Sequence, residues 1–190
     1  MDVYETILSR RSIRRFKQKS IPFETLKKLV NTARLAPSAA NLQPLEYFVV
    51  NDKNLCSEIF ETLSWAGYIK PKWTPGQLER PVAYIIMLIK NTENKWYLRD
   101  VSLASENILI AAEGEGIGSC ILCNIDRDKI RKILKIPEKI MIDSVIALGY
   151  KDEKSMIEDF KENVEYWRDE NNILHVPKRR LEDIMHANIY

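Results

Sequence analysis

Residues 82–89 constrain the fold most strongly, because they form an unbroken run of apolar side chains. Such a run is typical of a β-strand that is covered on both faces. It is too short to cross a bilayer and no longer apolar run occurs, so we expect no membrane partner. The 190 residues suffice for a core built around this strand, and we predict a single domain over residues 1–190.

Residues 97–115 are predicted to form a long helix whose middle part is apolar nearly all round. A helix of this kind is buried, either in the core of its own domain or against another chain. We favour a homodimer, in which a second chain covers part of this helix. The alternative is a monomer in which the same helix lies at the centre of the domain.

The remaining periodic segments alternate irregularly between helix and strand. A first helix with Val3, Ile7 and Leu8 facing inward is predicted for residues 2–9. Further helices are expected at 22–35, 54–63, 127–134 and 181–185, and strands at 46–50, 120–125, 141–148, 164–169 and 173–176. Without strict βαβ alternation, this order indicates an α+β fold. Residues 64–81 mix aromatic residues with Gly and Pro, and form either a substrate lid or a surface excursion.

Charge and cysteine content exclude several functional classes. The chain has 29 Lys plus Arg and 27 Asp plus Glu, a net charge of +2, so we expect no nucleic acid partner. Three cysteines and no signal peptide favour a reducing, cytoplasmic location. Cys120 and Cys123 form a CxxC pattern within a predicted strand, so we assign them neither a metal nor a redox role.

Two basic clusters and one polar loop are the candidate binding elements. Arg10, Arg11, Ser12 and Arg14 form the first cluster and residues 178–180 the second. Arginine forks bind phosphate or carboxylate with two hydrogen bonds. A surface loop with solvated arginines is the alternative interpretation.

The polar loop, residues 36–44, lies between a predicted helix and a predicted strand. Its small residues allow the backbone to approach a flat ligand, and Asn41 and Gln43 offer amide donors and acceptors. An ordinary helix–strand connection is the alternative interpretation.

Taken in chain order, residues 10–14, 36–44, 100–112, 116–120 and 178–182 resemble the motifs of the FMN-dependent nitroreductase family. The resemblance implies an α+β fold with a central, mainly antiparallel sheet flanked by helices. It also implies a homodimer with two FMN molecules at its interface, and a C-terminal arm that extends to the dimer partner.

The same resemblance implies a set of cofactor-binding residues. Phosphate and the pyrimidine edge would be held by Arg10, Arg11, Ser12 and Arg14, with Lys178 and Arg179 completing the phosphate site. The flavin would be approached by Pro37, Ser38, Ala39, Asn41 and Gln43, the Ser–Ala part coming from the partner, and by Ile121, Leu122 and Cys123. No catalytic side chain and no metal ligand are assigned, because hydride chemistry belongs to the cofactor.

The activity implied is electron transfer from NAD(P)H, the co-substrate, to a small-molecule acceptor such as a nitroaromatic, a quinone or a flavin. Donor and acceptor would bind alternately at one flavin face. The family often has Trp in place of Leu45, Gly in place of Cys123 and Pro in place of Arg180, which leaves the substrate class and the register of the basic triplet open. Alternatives are a flavin-binding carrier or sensor without turnover, or a specialised enzyme such as a reductive dehalogenase.

Overall fold

The computed structural model describes residues 2–93 and 95–189. Its α-helices are α1 (Val3–Ser9), α2 (Phe23–Arg34), α3 (Lys53–Phe60), α4 (Tyr97–Gly114) and α5 (Arg127–Leu134). Its strands are β1 (Phe16–Lys17), β2 (Leu45–Val50), β3 (Ala83–Ile89), β4 (Ile117–Leu122), β5 (Met141–Lys151), β6 (Ser155–Asp159), β7 (Trp167–Arg168) and β8 (Leu174–Lys178). Short 3-10 helices lie at Ala39–Asn41, Gln77–Glu79 and Leu181–Asp183.

Five strands form an antiparallel sheet around the long strand β5. β5 pairs with β3 on one side and with β4 on the other, and β2 pairs with the outer edge of β3. β1 pairs with the C-terminal end of β5. The tail adds a small sheet in which β8 lies between β6 and β7. The predicted α+β fold is confirmed.

β3 occupies the centre of the core, as its apolar run predicts, and every one of its residues is buried. Its alternate side chains enter two separate apolar layers. Tyr84, Ile86 and Leu88 pack among residues of α3 and α5. The other face of the strand, which includes Ile85 and Met87, packs against α2 and α4. The sheet is therefore covered on both sides by helices.

Some local expectations were wrong because contacts distant in sequence decide them. In α1, Val3, Ile7 and Leu8 are exposed rather than inward, and Thr6 is the buried residue. The two-residue strand β1 was not predicted, because its pattern is too short to recognise. β6 was also missed, since it forms only through its parallel pairing with β8.

The boundaries of β4 also differ from the expectation. It spans Ile117–Leu122 rather than residues 120–125, because it begins directly after the left-handed turn at Gly116 (φ 72°). Cys123 therefore lies just beyond the strand. None of the helices within the described residues is long and apolar enough to span a bilayer.

The irregular segment 64–81, called the aromatic loop below, is fixed by ring contacts. Trp65 stacks on Phe60 with ring centres 5.6 Å apart. Tyr68 meets Tyr166 of the tail edge-on at 5.1 Å. The loop is therefore attached both to the body of the protein and to the C-terminal tail.

Candidate functional site

The 36–44 loop connects α2 to β2 in a strained backbone conformation. Ala40, Asn41 and Gln43 have φ angles of 50°, 55° and 47°, in the left-handed region that non-glycine residues seldom adopt. Within the loop, the Gln43 N–H donates a hydrogen bond of 3.1 Å to Ser38 Oγ. Strain that is maintained by surrounding structure often marks a ligand-binding segment.

The outer surface of this loop carries the predicted polar groups. Pro37, Asn41 and Gln43 are exposed, whereas Ser38 and Ala39 are half-buried. The side-chain amides of Asn41 and Gln43 are therefore accessible and offer both donors and acceptors.

The basic run, residues 10–15, lies alongside β4. The Ile13 N–H donates to the Ser119 carbonyl at 2.8 Å, and Ser12 forms a parallel bridge with Ser119. A Cβ atom on Gly118 would lie only 2.9 Å from Ile13 Cβ. Glycine is therefore required for this close approach, which fixes Ser12 next to the strand.

Two arginines of this run make local contacts. Arg11 donates to the carbonyls of Leu8 at 2.7 Å and Arg10 at 2.6 Å, so its guanidinium group caps the end of α1. Arg10 lies 3.6 Å from a carboxylate oxygen of Glu106 on α4. Arg10 is half-buried and Glu106 is exposed, so this pair is a weak attachment.

Arg14 keeps much of its hydrogen-bonding capacity unused. Its Nη1 donates to the Ser12 carbonyl at the long distance of 3.5 Å, and its buried Nε has no partner within the described residues. The guanidinium group stacks over the Tyr166 ring, 4.7 Å from its centre. Arg14 can therefore still bind an anionic or planar ligand through its free donors.

Glu153 joins the basic run to the C-terminal tail. Its side chain is 1% exposed. The carboxylate accepts hydrogen bonds from the backbone N–H groups of Arg14 and Arg15. It also accepts one from Nη2 of Arg168 at 2.5 Å. Arg15 and Arg168 also lie over the Trp73 ring, 5.3 Å and 5.1 Å from its centre. The basic run, the tail and the aromatic loop thus form one connected assembly.

The end of β4 carries the residues expected beside a flavin ring. Ile121 is half-buried, Leu122 is buried and Cys123 is exposed. Arg127 Nη2 donates to the Cys123 carbonyl at 3.2 Å, which fixes the backbone there. Burial raises the pKa of the Cys120 thiol. Partial desolvation and the nearby charge of Asp143 also raise the pKa of the more exposed Cys123 thiol, so both thiols are poor nucleophiles near neutral pH.

The second basic cluster ends the small sheet. Lys178 is the last residue of β8, and the positions that follow it, 179–189, are exposed. Arg179 Nη2 donates to the Asp183 carbonyl at 2.7 Å, whereas Arg180 pairs with the Asp183 carboxylate at 3.1 Å. Strand β8 lies against its own chain, while the remaining tail leaves Lys178 and Arg179 accessible.

Helix α4 contacts the 36–44 loop near one end, and Ser9, the residue before the basic run, near the other. Near its N-terminus, Asp100 accepts the Ala39 N–H at 3.0 Å. In its last turn, Glu113 accepts Ser9 Oγ at 3.0 Å. At about 1.5 Å and about 100° per residue, these contacts lie roughly 20 Å apart along α4 and about 140° apart around it.

A match to known proteins identifies the chain. Residues 7–150 match the sequence model of the Nitroreductase family. This chain belongs to the nitroreductase family. An Archaeoglobus fulgidus protein named as a putative NADH dehydrogenase/NAD(P)H nitroreductase is 38% identical over 157 residues, which cover 80% of this chain and 87% of that protein.

Two further relatives of this nitroreductase-family chain bear on its function. A structure of an FMN-dependent nitroreductase from Clostridium difficile superposes with a TM-score of 0.71, at 26% identity, over 97% of this chain and 98% of that one. The iodotyrosine deiodinase of Thermotoga neapolitana is 25% identical over 168 residues, covering 80% of this chain and 89% of the deiodinase.

Sequence patterns assigned no role to four residues that contact the candidate site of this nitroreductase-family chain. Glu153, Trp73 and Tyr166 bind or stack on arginines of the basic run or tail, and Asp100 contacts the polar loop. Their partners are far away in sequence, so no local period or spacing identifies them. The signs in the sequence were coarse: Trp73 lies in the aromatic segment 64–81, and Asp100 begins the 100–112 motif.

Proposed function

We propose that this chain is an FMN-dependent oxidoreductase that passes electrons from NAD(P)H to a small-molecule acceptor, a nitroaromatic, a quinone or a flavin. Donor and acceptor bind alternately at one flavin face. Its membership of the nitroreductase family carries this proposal, and its likeness to an FMN-dependent nitroreductase along almost the whole chain supports the cofactor.

The chemistry of the available donors fits FMN. The buried Nε of Arg14 has no partner among the described residues, and its Nη1 makes only a long contact of 3.5 Å with the Ser12 carbonyl. We infer that Arg10, Arg11, Ser12 and Arg14 hold the phosphate and pyrimidine side of the cofactor, with Lys178 and Arg179 at the phosphate. A permanent positive charge at these positions suits a phosphate, because arginine does not lose its proton near neutral pH.

The flavin ring is assigned to the polar loop and the end of β4. Pro37, Ser38, Ala39, Asn41 and Gln43 line one side, and Ile121, Leu122 and Cys123 the other. FMN supplies the hydride and electron chemistry when it is bound. The protein's own residues bind and orient it, and leave one face accessible to NAD(P)H and then to the acceptor.

We infer that two chains complete each site. Within one chain, the polar loop and the residue before the basic run contact opposite ends of α4. Apolar side chains are exposed on two neighbouring helices, with Val3 and Ile7 on α1 73% and 45% exposed and Leu103 on α4 46% exposed. Exposed apolar side chains of this kind mark a protein interface. A homodimer packed through these helices brings the polar loop of one chain to the basic run of the other.

A cytoplasmic location is part of this proposal. Cys56, Cys120 and Cys123 are free, and Cys123 is exposed. Exposed free thiols persist in a reducing compartment.

Anaerobic reduction of the purified protein tests the proposed activity. We expect a yellow protein whose visible flavin absorbance is bleached by NADH or NADPH, and then restored by a quinone or a nitroaromatic compound. A colourless protein refutes FMN binding. A yellow protein that is bleached by dithionite but by neither nucleotide refutes turnover with NAD(P)H and supports a carrier or sensor.

The deiodinase relative supports reductive dehalogenation as a second candidate. Mono-iodotyrosine offered to the dithionite-reduced protein distinguishes it. Oxidation of the flavin together with release of iodide supports dehalogenation, whereas oxidation by quinone without any release of iodide supports the first proposal.

A further inference from the structure

Asp100 is a buried carboxylate in the first turns of α4, directly behind the polar loop. Its residue is 3% exposed, and Oδ1 accepts the Ala39 N–H at 3.0 Å. The second oxygen, Oδ2, is buried and has no partner within the part of the chain that the structure describes. A buried carboxylate destabilises a fold unless its hydrogen bonds compensate. The role of Asp100 is therefore to be sought in the backbone at Ala39, which its Oδ1 holds.

The backbone at Ala39 leads directly into the strained part of the loop. Ala40, the next residue, has a φ angle of 50°, and Asn41 follows at 55°. An alanine in this region is unfavourable in isolation. The hydrogen bond from Ala39 to Asp100 joins the middle of the loop to a rigid helix, and thus maintains a shape that the loop sequence alone does not favour.

A small cavity lies beside this contact. It has a volume of about 150 Å³, and its lining includes Asp100, Ser38, Gln43 and Tyr47. A space of this size with several polar groups can contain water, which offers Oδ2 a donor. With such a water at Oδ2, Asp100 can hold the loop through Oδ1 without contacting a ligand on the outer side of the loop.

We propose that Asp100 is a positioning residue, which holds the 36–44 loop in the backbone conformation in which it contacts FMN. The assignment rests on the proposed function, because it assumes that this loop meets the flavin. Asp100 acts through the Ala39 amide and touches neither the cofactor nor the substrate.

Three variants and the wild type test the assignment by titration of apoprotein with FMN. Asp100→Ala removes the acceptor that holds the loop in its FMN-contacting conformation. We expect FMN binding to weaken about tenfold, because the loss of one hydrogen bond lowers the population of that conformation by up to about this factor. Asp100→Asn keeps an oxygen that can accept the Ala39 N–H, and is expected to stay within about threefold of wild type. Ser105→Ala is the matched control, since Ser105 is equally buried on α4, also lacks a partner for its hydroxyl within the described residues, and stays within about twofold.

Visible circular dichroism of the bound flavin separates positioning from a general structural role. We expect the Asp100→Ala signal to differ from wild type at saturating FMN, and Asp100→Asn to restore it. A residue that only stabilises the fold would lower the melting temperature of the apoprotein, but leave FMN affinity and the dichroism signal unchanged at a temperature where the variant is folded. That result overturns the assignment.

Ala39→Pro tests the same hydrogen bond from its other end if Asp100→Ala fails to fold. Ser38 has φ −129° and ψ 152°, the extended conformation that a residue before proline adopts. The substitution removes the N–H donor, so we expect the same loss of about tenfold. FMN affinity within twofold of wild type contradicts the proposal. If the wild type and Ser105→Ala also fail to bind FMN, the proposed function itself fails.

Discussion

Arg14→Ala is expected to give a folded protein that retains little FMN, with affinity reduced about ten- to a hundredfold. Arg14 offers guanidinium donors that no described residue uses, and a charge-assisted hydrogen bond contributes about 1.5–3 kcal/mol. The Arg14 backbone stays attached to Glu153, so the fold should survive. Fluorescence titration of apoprotein with FMN measures the change.

Lys27→Ala provides the control for the loss of a positive charge. Lys27 lies on the exposed face of α2, where it pairs with Glu24 at 2.7 Å and lies 5.3 Å from the centre of the Phe23 ring. Its removal should leave FMN affinity unchanged. Equal affinity of Arg14→Ala and the wild type would show that this arginine does not hold the cofactor, and would remove the main support for the proposed phosphate and pyrimidine contacts.

Glu153→Ala is expected to destabilise the protein by about 3–5 kcal/mol. Removal of this carboxylate leaves Arg168, whose side chain is 9% exposed, as a buried charge without its partner. It also frees the backbone N–H groups of Arg14 and Arg15. Because domains are stable by only about 5–15 kcal/mol, the tail should detach or the protein should unfold at much lower urea.

Urea denaturation followed by tryptophan fluorescence measures this loss of stability. Glu138→Ala is the matched control, since Glu138 pairs with Arg131 at 3.6 Å but is 92% exposed, and such pairs contribute about 0–1 kcal/mol. Glu153→Gln should fall between the two, because it keeps an acceptor for the N–H groups. Identical unfolding midpoints for Glu153→Ala and Glu138→Ala would refute the view that Glu153 joins the tail to the basic run.

The strands and helices of the core were predictable because each has its own local signal. The apolar run at 82–89 gave β3, and the nearly apolar segment at 97–115 gave α4 within one residue of its end. Patterns of this kind report burial directly. The predicted inward side of α1 was wrong because an apolar pattern does not say which chain covers it. Val3 and Ile7 are apolar but exposed in one chain, and the surface that we propose to cover them belongs to a second chain.

The site was only partly predictable. Proline positions and short side chains identify the polar loop in the sequence, and the cluster of arginines identifies the basic run. Glu153, Tyr166 and Asp100 act through partners 61 or more positions away or on other elements, which no spacing reveals. These contacts form only when the tail and α4 pack against the rest of the domain, so a local sequence pattern cannot predict them.

The central claim is that one FMN site is built from two chains, and sedimentation velocity tests it most directly. The holoprotein is followed at the visible absorbance of the flavin over a series of dilutions. We predict that this absorbance sediments with the dimer, and that FMN is released as dilution separates the chains, since cofactor binding and dimer formation stabilise each other. Flavin absorbance that sediments with a monomer would contradict the account.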